Sequence, residues 1–209
     1  MARRLTTTSY AILGLLAIRP WSTYELTQQM RRNLHYLWPR AESNIYAEPK
    51  RLVQGGFAEV RSQPQGKRPR TVYSITHEGR RALEQWLAMP GGSSNLESEA
   101  LVKVMFATYG SKRSLLTTLQ RFRDDAEGKR SELAAIFQEY LRGEDPFPER
   151  AHINVVAYRL LWAYSQTEVT WASWALEQVH RWPDTKKSSS RPELMATLRA
   201  ALGEAPNQA

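Results

Sequence analysis

The chain has 209 residues, a formal net charge of +8 and no cysteine. The absence of cysteine excludes disulfides, thiolate metal sites and a cysteine nucleophile, and it fits a reducing compartment, so we expect a cytoplasmic protein. The length allows one or two domains with a sizeable core. The apolar run at residues 11–18 is too short to cross a bilayer, which takes about 18 residues or more, and no cleavage pattern follows it. We therefore expect no membrane partner.

The positive charge is confined to the N-terminal part of the chain. Residues 1–90 hold 14 basic and 6 acidic side chains, whereas residues 91–209 hold 15 of each. A basic excess in one region is typical of a surface that binds nucleic-acid phosphates. The alternative is a solvated basic surface. The helix and hairpin patterns in the same region favour DNA.

Two helices are predicted first. The first has an apolar face, formed by Leu5, Ile12, Leu13 and Leu16. The second begins at Ser22, because Ser22 and Glu25 have the spacing of a capping box, and it runs to about Asn33. Pro39 disfavours helix at Trp38 and separates this helix from the next.

The third helix is predicted over residues 40–54, beginning between Arg40 and Asn44 and ending at Gly55-Gly56. Its apolar residues share one face and pack inward; they are Ile45, Pro49, Leu52 and Val53. Small, polar and basic residues on the other side suit a helix that approaches DNA bases. Pro49 bends this helix unless the helix starts late.

Six residues of this segment are predicted to contact DNA: Arg40, Ser43, Asn44, Tyr46, Lys50 and Arg51. Asn44 has the chemistry to read adenine, although capping of the helix is its favoured role. Tyr46 either donates to a phosphate or packs against its neighbours.

A β-hairpin over residues 57–76 follows, with strands predicted at 57–61 and 71–75. Its loop is centred on residues 66–70 and presents Lys67, Arg68 and Arg70 to backbone phosphates. Thr76 caps a fourth helix over residues 77–88. Helix followed by basic hairpin is the layout of a winged helix-turn-helix.

Residues 5–88 resemble the winged-helix domain of PadR-type transcriptional regulators. The matching motifs are Tyr10–Leu16, Tyr24-Glu25-Leu26, Ile45-Tyr46, Lys50–Val53, Gly56-Phe57, Tyr73–Thr76 and Glu78-Gly79-Arg80. The family more often has proline directly after the tyrosine, where this chain has Ala47 and then Pro49. The remainder is similar to the longer branch of the family, which carries a virulence-regulator-like helical C-terminal domain.

The resemblance implies a sequence-specific DNA-binding regulator, a dimeric repressor of a palindromic operator. The helix at 40–54 would enter the major groove of double-stranded DNA and the wing at 57–76 would contact its backbone. We expect a mainly α fold with a small β-hairpin wing, in which the winged helix-turn-helix is followed by an all-helical dimerisation domain.

A linker at residues 90–95 separates a DNA-binding domain, 1–90, from a helical dimerisation and effector domain, 91–209. Helices are predicted at 96–109 with Ser94 as its cap, at 112–142 with Ser111 as its cap, at 149–181, and after Ser190. Residues 96–182 are expected to form the homodimer, since a single winged helix reads too few base pairs for high specificity.

Aromatic residues crowd the helix at 149–181. The candidate effector-binding set is Tyr158, Trp162, Trp171 and Trp174. Core and dimer interface are the favoured role of these side chains. The alternative, which the resemblance supports, is a site for a small planar aromatic effector.

Other classes of function are disfavoured. The four histidines lie at scattered positions, and no HExxH, GxSxG, P-loop or GxGxxG pattern occurs. We therefore predict no catalytic residues, no metal site and no cofactor. A winged-helix module that binds protein without binding DNA remains the alternative, although the basic hairpin tip argues against it. No stacking-aromatic motif indicates RNA.

Overall fold

The computed structural model describes residues 5–38, 46–65, 68–186 and 191–203, without the side chains of residues 33, 63–65, 68 and 69. Two compact units divide the chain, Met1–Ser94 and Asn95–Ala209. The first combines helices with a small sheet and the second is helical. The mainly α class predicted from the sequence is confirmed.

The elements of the first unit follow the order of a winged helix. They are α1 (Thr7–Ile18), β1 (Trp21–Ser22), α2 (Thr23–Leu34), α3 (Glu48–Gln54), β2 (Ala58–Gln65), β3 (Arg68–Ile75) and α4 (His77–Leu87). The strands form an antiparallel sheet in the order β1-β3-β2, with Trp21 opposite Tyr73 and Ala58 opposite Ile75. The two-residue strand β1 was not predicted, because two residues are too few to show an alternating pattern.

The core of this unit lies between the helices and the sheet. Its fully buried side chains include Ile12, Leu13, Leu16, Trp21, Leu26, Met30 and Leu52. Three of the four residues predicted for the apolar face of the first helix are thus confirmed, whereas Leu5 precedes α1 and is half-buried. The indole N–H of Trp21 donates to the Leu15 carbonyl at 2.7 Å, so burial of this ring leaves no donor unpaired.

The third helix starts later than the sequence predicted. Tyr46 and Ala47 form a turn and α3 begins at Glu48. Pro49 therefore falls in the first turn, where an amide N–H has no intrahelical acceptor and its loss costs nothing. Pro49 and Leu52 are buried, as predicted. Ile45 lies outside the described residues.

The strands of the wing are longer than predicted. Pairing of β2 with β3 continues to Gln65 opposite Arg68, so Arg68, Pro69 and Arg70 belong to a strand and not to the loop. Pro64 and Pro69 pair directly. Every second antiparallel pair makes no mutual hydrogen bonds, so two facing prolines are compatible with a continuing strand. Proline and glycine are typical of loops, so the sequence pattern does not reveal this pairing.

Helix α4 closes the first unit. Thr76 caps it, as predicted, by accepting from the Gly79 amide at 3.0 Å. Tyr10 of α1 stacks on Trp86 of α4, with ring centroids 4.7 Å apart. Gly56, between α3 and β2, has a φ of 78°, the left-handed conformation that glycine commonly adopts after a helix.

The second unit is built on two long helices. Its elements are α5 (Glu99–Met105), a 3-10 turn at Ala107–Tyr109, α6 (Lys112–Leu141), a 3-10 turn at Pro148–Arg150, α7 (Ala151–Arg181) and α8 (Arg191–Leu202). Ser111 caps α6, as predicted. The cap of α5 is Ser98 and not Ser94, because Ser98 accepts from the Leu101 amide. The fifth helix is correspondingly shorter than predicted.

Helices α6 and α7 pack side by side in opposite directions. Leu115 and Leu119 of α6 meet Leu176 and Val179 of α7 in a buried cluster, and Lys129 pairs with Glu168 at 3.2 Å farther along. In the part of the chain that the structure describes, no helix is both long enough and apolar enough to cross a membrane.

Candidate nucleic-acid interface

The outer face of α3 is exposed. Lys50 and Arg51 extend from it and Tyr46 lies in the turn just before it, with 64% of its surface accessible. The opposite face is anchored in the core by Pro49 and Leu52. Two cations on a helix that the core holds in place, and a phenol just before it, are therefore exposed, which suits contact with phosphates and base edges.

Four of the predicted DNA contacts lie outside the described residues: Arg40, Ser43, Asn44 and Lys67. The backbone of Arg68 is described, as the first residue of β3. The roles predicted for these residues remain predictions.

Arg70 lies below the hairpin tip, opposite Gln63. Its guanidinium forms an ion pair with Glu25 and donates to the Ser22 hydroxyl at 3.1 Å. Glu25 also accepts from the Ser22 amide, which completes the predicted capping box of α2. Arg70 thus links β3 to the start of α2.

The surroundings of Glu25 favour its charged form. Partial burial raises the pKa of Glu25, but hydrogen bonds from Arg70, Ser22 and Arg19 outweigh burial and lower it from 4.5 to about 2. Arg19 lies over the Trp21 ring, 3.5 Å from its centroid. Glu25 is therefore ionised at neutral pH and holds two arginines beside the wing.

Glu48 is not among the site residues that the sequence predicts. It is buried at the start of α3, accepts from the Ser9 hydroxyl at 2.5 Å, and pairs with Arg51 at 3.2 Å. Glu48 and Arg51 are three residues apart, a spacing that predicts an ion pair within one helix. Ser9 lies far away in the sequence, and only the fold brings it to Glu48.

The aromatic residues of α7 are spread along the helix. Tyr158 is buried and Trp162 packs on Phe137, with ring centroids 5.4 Å apart. Trp171 contacts Phe122 edge to face, at 5.3 Å. Trp174 is 44% exposed. Tyr158 and Trp174 are about 24 Å apart along the helix, so one small planar compound cannot contact all four candidates.

No cluster of three or more His, Asp or Glu side chains that could hold a metal ion occurs within residues 5–38, 46–65, 68–186 and 191–203. What the described residues offer around α3 is a set of cations and hydrogen-bond donors, Lys50, Arg51 and Tyr46, that could bind phosphates or bases.

Two family models match the chain, one in each unit. The Transcriptional regulator PadR-like family matches residues 12–85, and Virulence activator alpha C-term matches residues 97–180. The Negative transcriptional regulator PadR of Bacillus subtilis is 26% identical over 171 residues, which are 79% of this chain and 91% of that protein.

Solved structures show the same fold. Bacillus subtilis PadR in complex with operator DNA matches with a TM-score of 0.70 and 23% identity, over 83% of this chain and 99% of that one. The complex of the same protein with p-coumaric acid matches with a TM-score of 0.64 and 23% identity, over 84% and 99%. The chain belongs to the PadR-like family of transcriptional regulators, in the form that continues into a virulence-activator-type C-terminal region.

Proposed function

We propose that this regulator is a dimeric repressor that binds a palindromic DNA operator. Helix α3 enters the major groove, and the wing of β2 and β3 lies on the backbone. The observation that carries the proposal is the exposed face with Lys50 and Arg51, on a helix anchored by Pro49 and Leu52. The part of the chain that holds the whole net charge carries this face. Binding of operator DNA by the Bacillus subtilis relative supports the same use.

Dimerisation by the second unit fits the exposed surface of α7. Ile153, Val156 and Leu160 recur at helical spacing, and between 57% and 73% of each is accessible. A contiguous apolar stripe on a long helix marks a surface that buries itself against another protein. Two-fold pairing of this stripe would present two winged helices to half-sites about one DNA turn apart.

Selection from a random duplex pool tests the proposal. Full-length protein is incubated with the pool at fixed salt, and bound duplexes are recovered, amplified and sequenced. We expect an inverted repeat with half-sites about 10 base pairs apart, centre to centre. Recovery of no enriched sequence would reject operator binding and favour a module that binds protein. A repressor acting on such a site works in the cytoplasm.

We also propose a small planar aromatic compound as the effector, bound beside the aromatic residues of α7. The p-coumaric acid complex of the relative supports this class of ligand. Trp174 is the most open of the four candidates, whereas the packing of Tyr158, Trp162 and Trp171 supports a role in the core. Coupling to DNA binding is typically worth about 1–3 kcal/mol.

Tryptophan emission tests the effector proposal. Titration of p-coumaric acid should quench emission and shift the affinity for the selected duplex, and Trp174→Ala should remove both effects. Trp162→Ala is the matched comparison, with an expected loss of stability of about 3–5 kcal/mol if the ring serves the core. An aromatic library that quenches nothing would reject the effector site and leave DNA binding untouched.

A further inference from the structure

A buried carboxylate lies directly beneath the DNA-facing surface of α3. Glu48 is only 7% exposed, yet it is the first residue of the helix that the proposed function places in the groove. A buried charge is costly unless it is paired and hydrogen-bonded. Both carboxylate oxygens have partners: Oε1 accepts from Ser9 Oγ at 2.5 Å and Oε2 accepts from Arg51 Nη1 at 3.2 Å.

The Ser9 contact has a defined direction. The Thr6 amide donates to Ser9 Oγ at 2.9 Å, as part of the box that caps α1. Ser9 Oγ also lies 3.0 Å from Thr6 Oγ1. Since a carboxylate oxygen accepts, Ser9 donates its proton to Glu48, and Thr6 Oγ1 is then the donor in the contact between the two hydroxyls. Ser9 is 1% exposed and lies on a helix whose apolar face fills the core. The position of Glu48 is therefore set by α1 and not by solvent.

This arrangement restrains one end of the Arg51 guanidinium. Its Nη1 is held by Glu48, while the side chain remains 50% exposed. Its other guanidinium N–H groups have no protein partner among the described residues. A planar guanidinium that is held on one side and open on the other is prepared for bidentate hydrogen bonding to guanine O6 and N7. Lys50, its neighbour, has no ion pair within the described part of the chain and offers a mobile point charge.

We propose that Arg51 is the residue of α3 that reads a base, and that Glu48, held by Ser9, is the positioning residue that orients it. This inference rests on the proposed function. Lys50, by contrast, contributes affinity for the phosphate backbone. Ser9, Glu48 and Arg51 thus form a relay of hydrogen bonds from α1 to α3. Through this relay, the packing of α1 against α3 influences which DNA sequence the protein prefers.

The test compares two DNA probes at one salt concentration: the duplex that wild-type protein selects from a random pool, and a shuffled duplex of the same composition. Glu48→Ala and Arg51→Lys should each lower affinity for the selected duplex by roughly 5- to 150-fold. Affinity for the shuffled duplex should fall far less than affinity for the selected duplex in both variants, because Arg51→Lys keeps the positive charge and Glu48→Ala removes a negative charge near the phosphates. Lys50→Ala, the matched control, should lower both affinities by the same factor.

A double variant separates positioning from general destabilisation. Because Glu48 acts through Arg51, Glu48→Ala added to Arg51→Ala should cause no further loss of selectivity. Glu48→Gln keeps the shape and an oxygen for Ser9, and it serves as the test if the alanine variant does not fold. An equal loss for both probes in the Glu48 variants, or unchanged selectivity, would overturn the relay. Failure of wild-type protein to select any duplex would instead overturn the proposed function.

Discussion

At the scale of single residues, the polar side chains that organise the first unit make contacts across long stretches of sequence. Glu25 joins the start of α2 to Arg70 of the wing, and Glu48 joins α3 to Ser9 of α1. Each acid also has a local partner at helical or capping spacing, Ser22 for Glu25 and Arg51 for Glu48. The spacing of each acid and its local partner in the sequence predicts the local contact. The distant contact determines which two elements each acid joins.

The ion pair of Glu25 predicts a pH dependence of stability. Its pKa is lowered to about 2 in the folded protein, against 4.5 as the ordinary value. A depressed carboxyl pKa stabilises the fold above the unfolded-state value, and this stability is lost as the pH falls from about 4.5 through about 2. Because solvent screens this partly exposed pair, we expect the free energy of unfolding to fall by about 1–3 kcal/mol over this pH range.

Chemical denaturation between pH 7 and pH 2 measures this effect. Glu25→Gln should be less stable than wild type at pH 7, and the two should converge in acid. Glu78→Gln, at an exposed ion pair with Arg81, is the control and should follow the wild-type curve. If the stability of wild type and of Glu25→Gln changed with pH in parallel, the Glu25 ion pair would not be the source of the pH dependence.

The two arginines of β3 should differ in their effects on DNA binding. Arg68→Ala should weaken binding to every duplex and reduce the salt slope by about 0.9, which is the loss of one phosphate contact, with little change in melting temperature. Arg70→Ala should also lower the melting temperature, because it leaves Glu25 without this cation. Salt-titrated binding and thermal unfolding separate the two. Equal effects on stability would argue against the structural role of Arg70.

At the scale of elements, the contact between α4 and the start of the wing depends on a glycine. A Cβ atom at Gly79 would overlap the Phe57 carbonyl oxygen, which already accepts from the Thr76 amide at 3.2 Å. The first turn of α4 can therefore approach β2 only without a side chain at this position.

Gly79→Ala should destabilise the protein by about 1–3 kcal/mol, because the backbone has to move apart. The chain offers a matched control, since a Cβ at Gly128 in α6 would meet nothing within 4 Å. Gly128→Ala should stabilise by about 0.5–1 kcal/mol through lower backbone entropy in the unfolded chain. Equilibrium urea unfolding gives both values. Equal and small effects would show that α4 can shift freely.

At the scale of the whole molecule, the two units expose different kinds of surface. The first presents cations on α3, whereas the second presents the apolar stripe of α7. The amphipathic helix α8 also has no buried residue. Charge suits contact with DNA and apolar area suits contact with protein. The surfaces therefore support the proposal that DNA binding and self-association belong to separate units.

Charge in the α7 stripe should abolish the proposed dimer. Val156→Asp and Leu160→Asp each put a carboxylate into an interface that would be desolvated, so light scattering at micromolar concentration should give a monomer. Affinity for the selected palindrome should fall together with dimerisation, while affinity for a single half-site should remain. Gln166→Asp adds the same charge to α7 away from the stripe and should stay dimeric. A wild-type monomer, or dimeric stripe variants, would reject this interface.

The class of the fold and the order of its helices and of the wing hairpin can be predicted from the sequence alone, because capping residues and apolar periodicity are local signals. Ser22, Thr76 and Ser111 cap helices as their spacing predicted. The exposed positions of Lys50 and Arg51 and the buried position of Leu52 also followed from helical periodicity.

The start of α3, the extent of pairing between the wing strands and the side chains that hold α3 depend on tertiary contacts. Cross-strand pairing extended β2 and β3 through two prolines. Folding also brought Arg70 to Glu25 and Ser9 to Glu48. Contacts between residues far apart in sequence leave no periodic pattern, because chain packing creates them. The contact between Ser9 and Glu48, which we propose orients Arg51 toward a base, is one of these contacts.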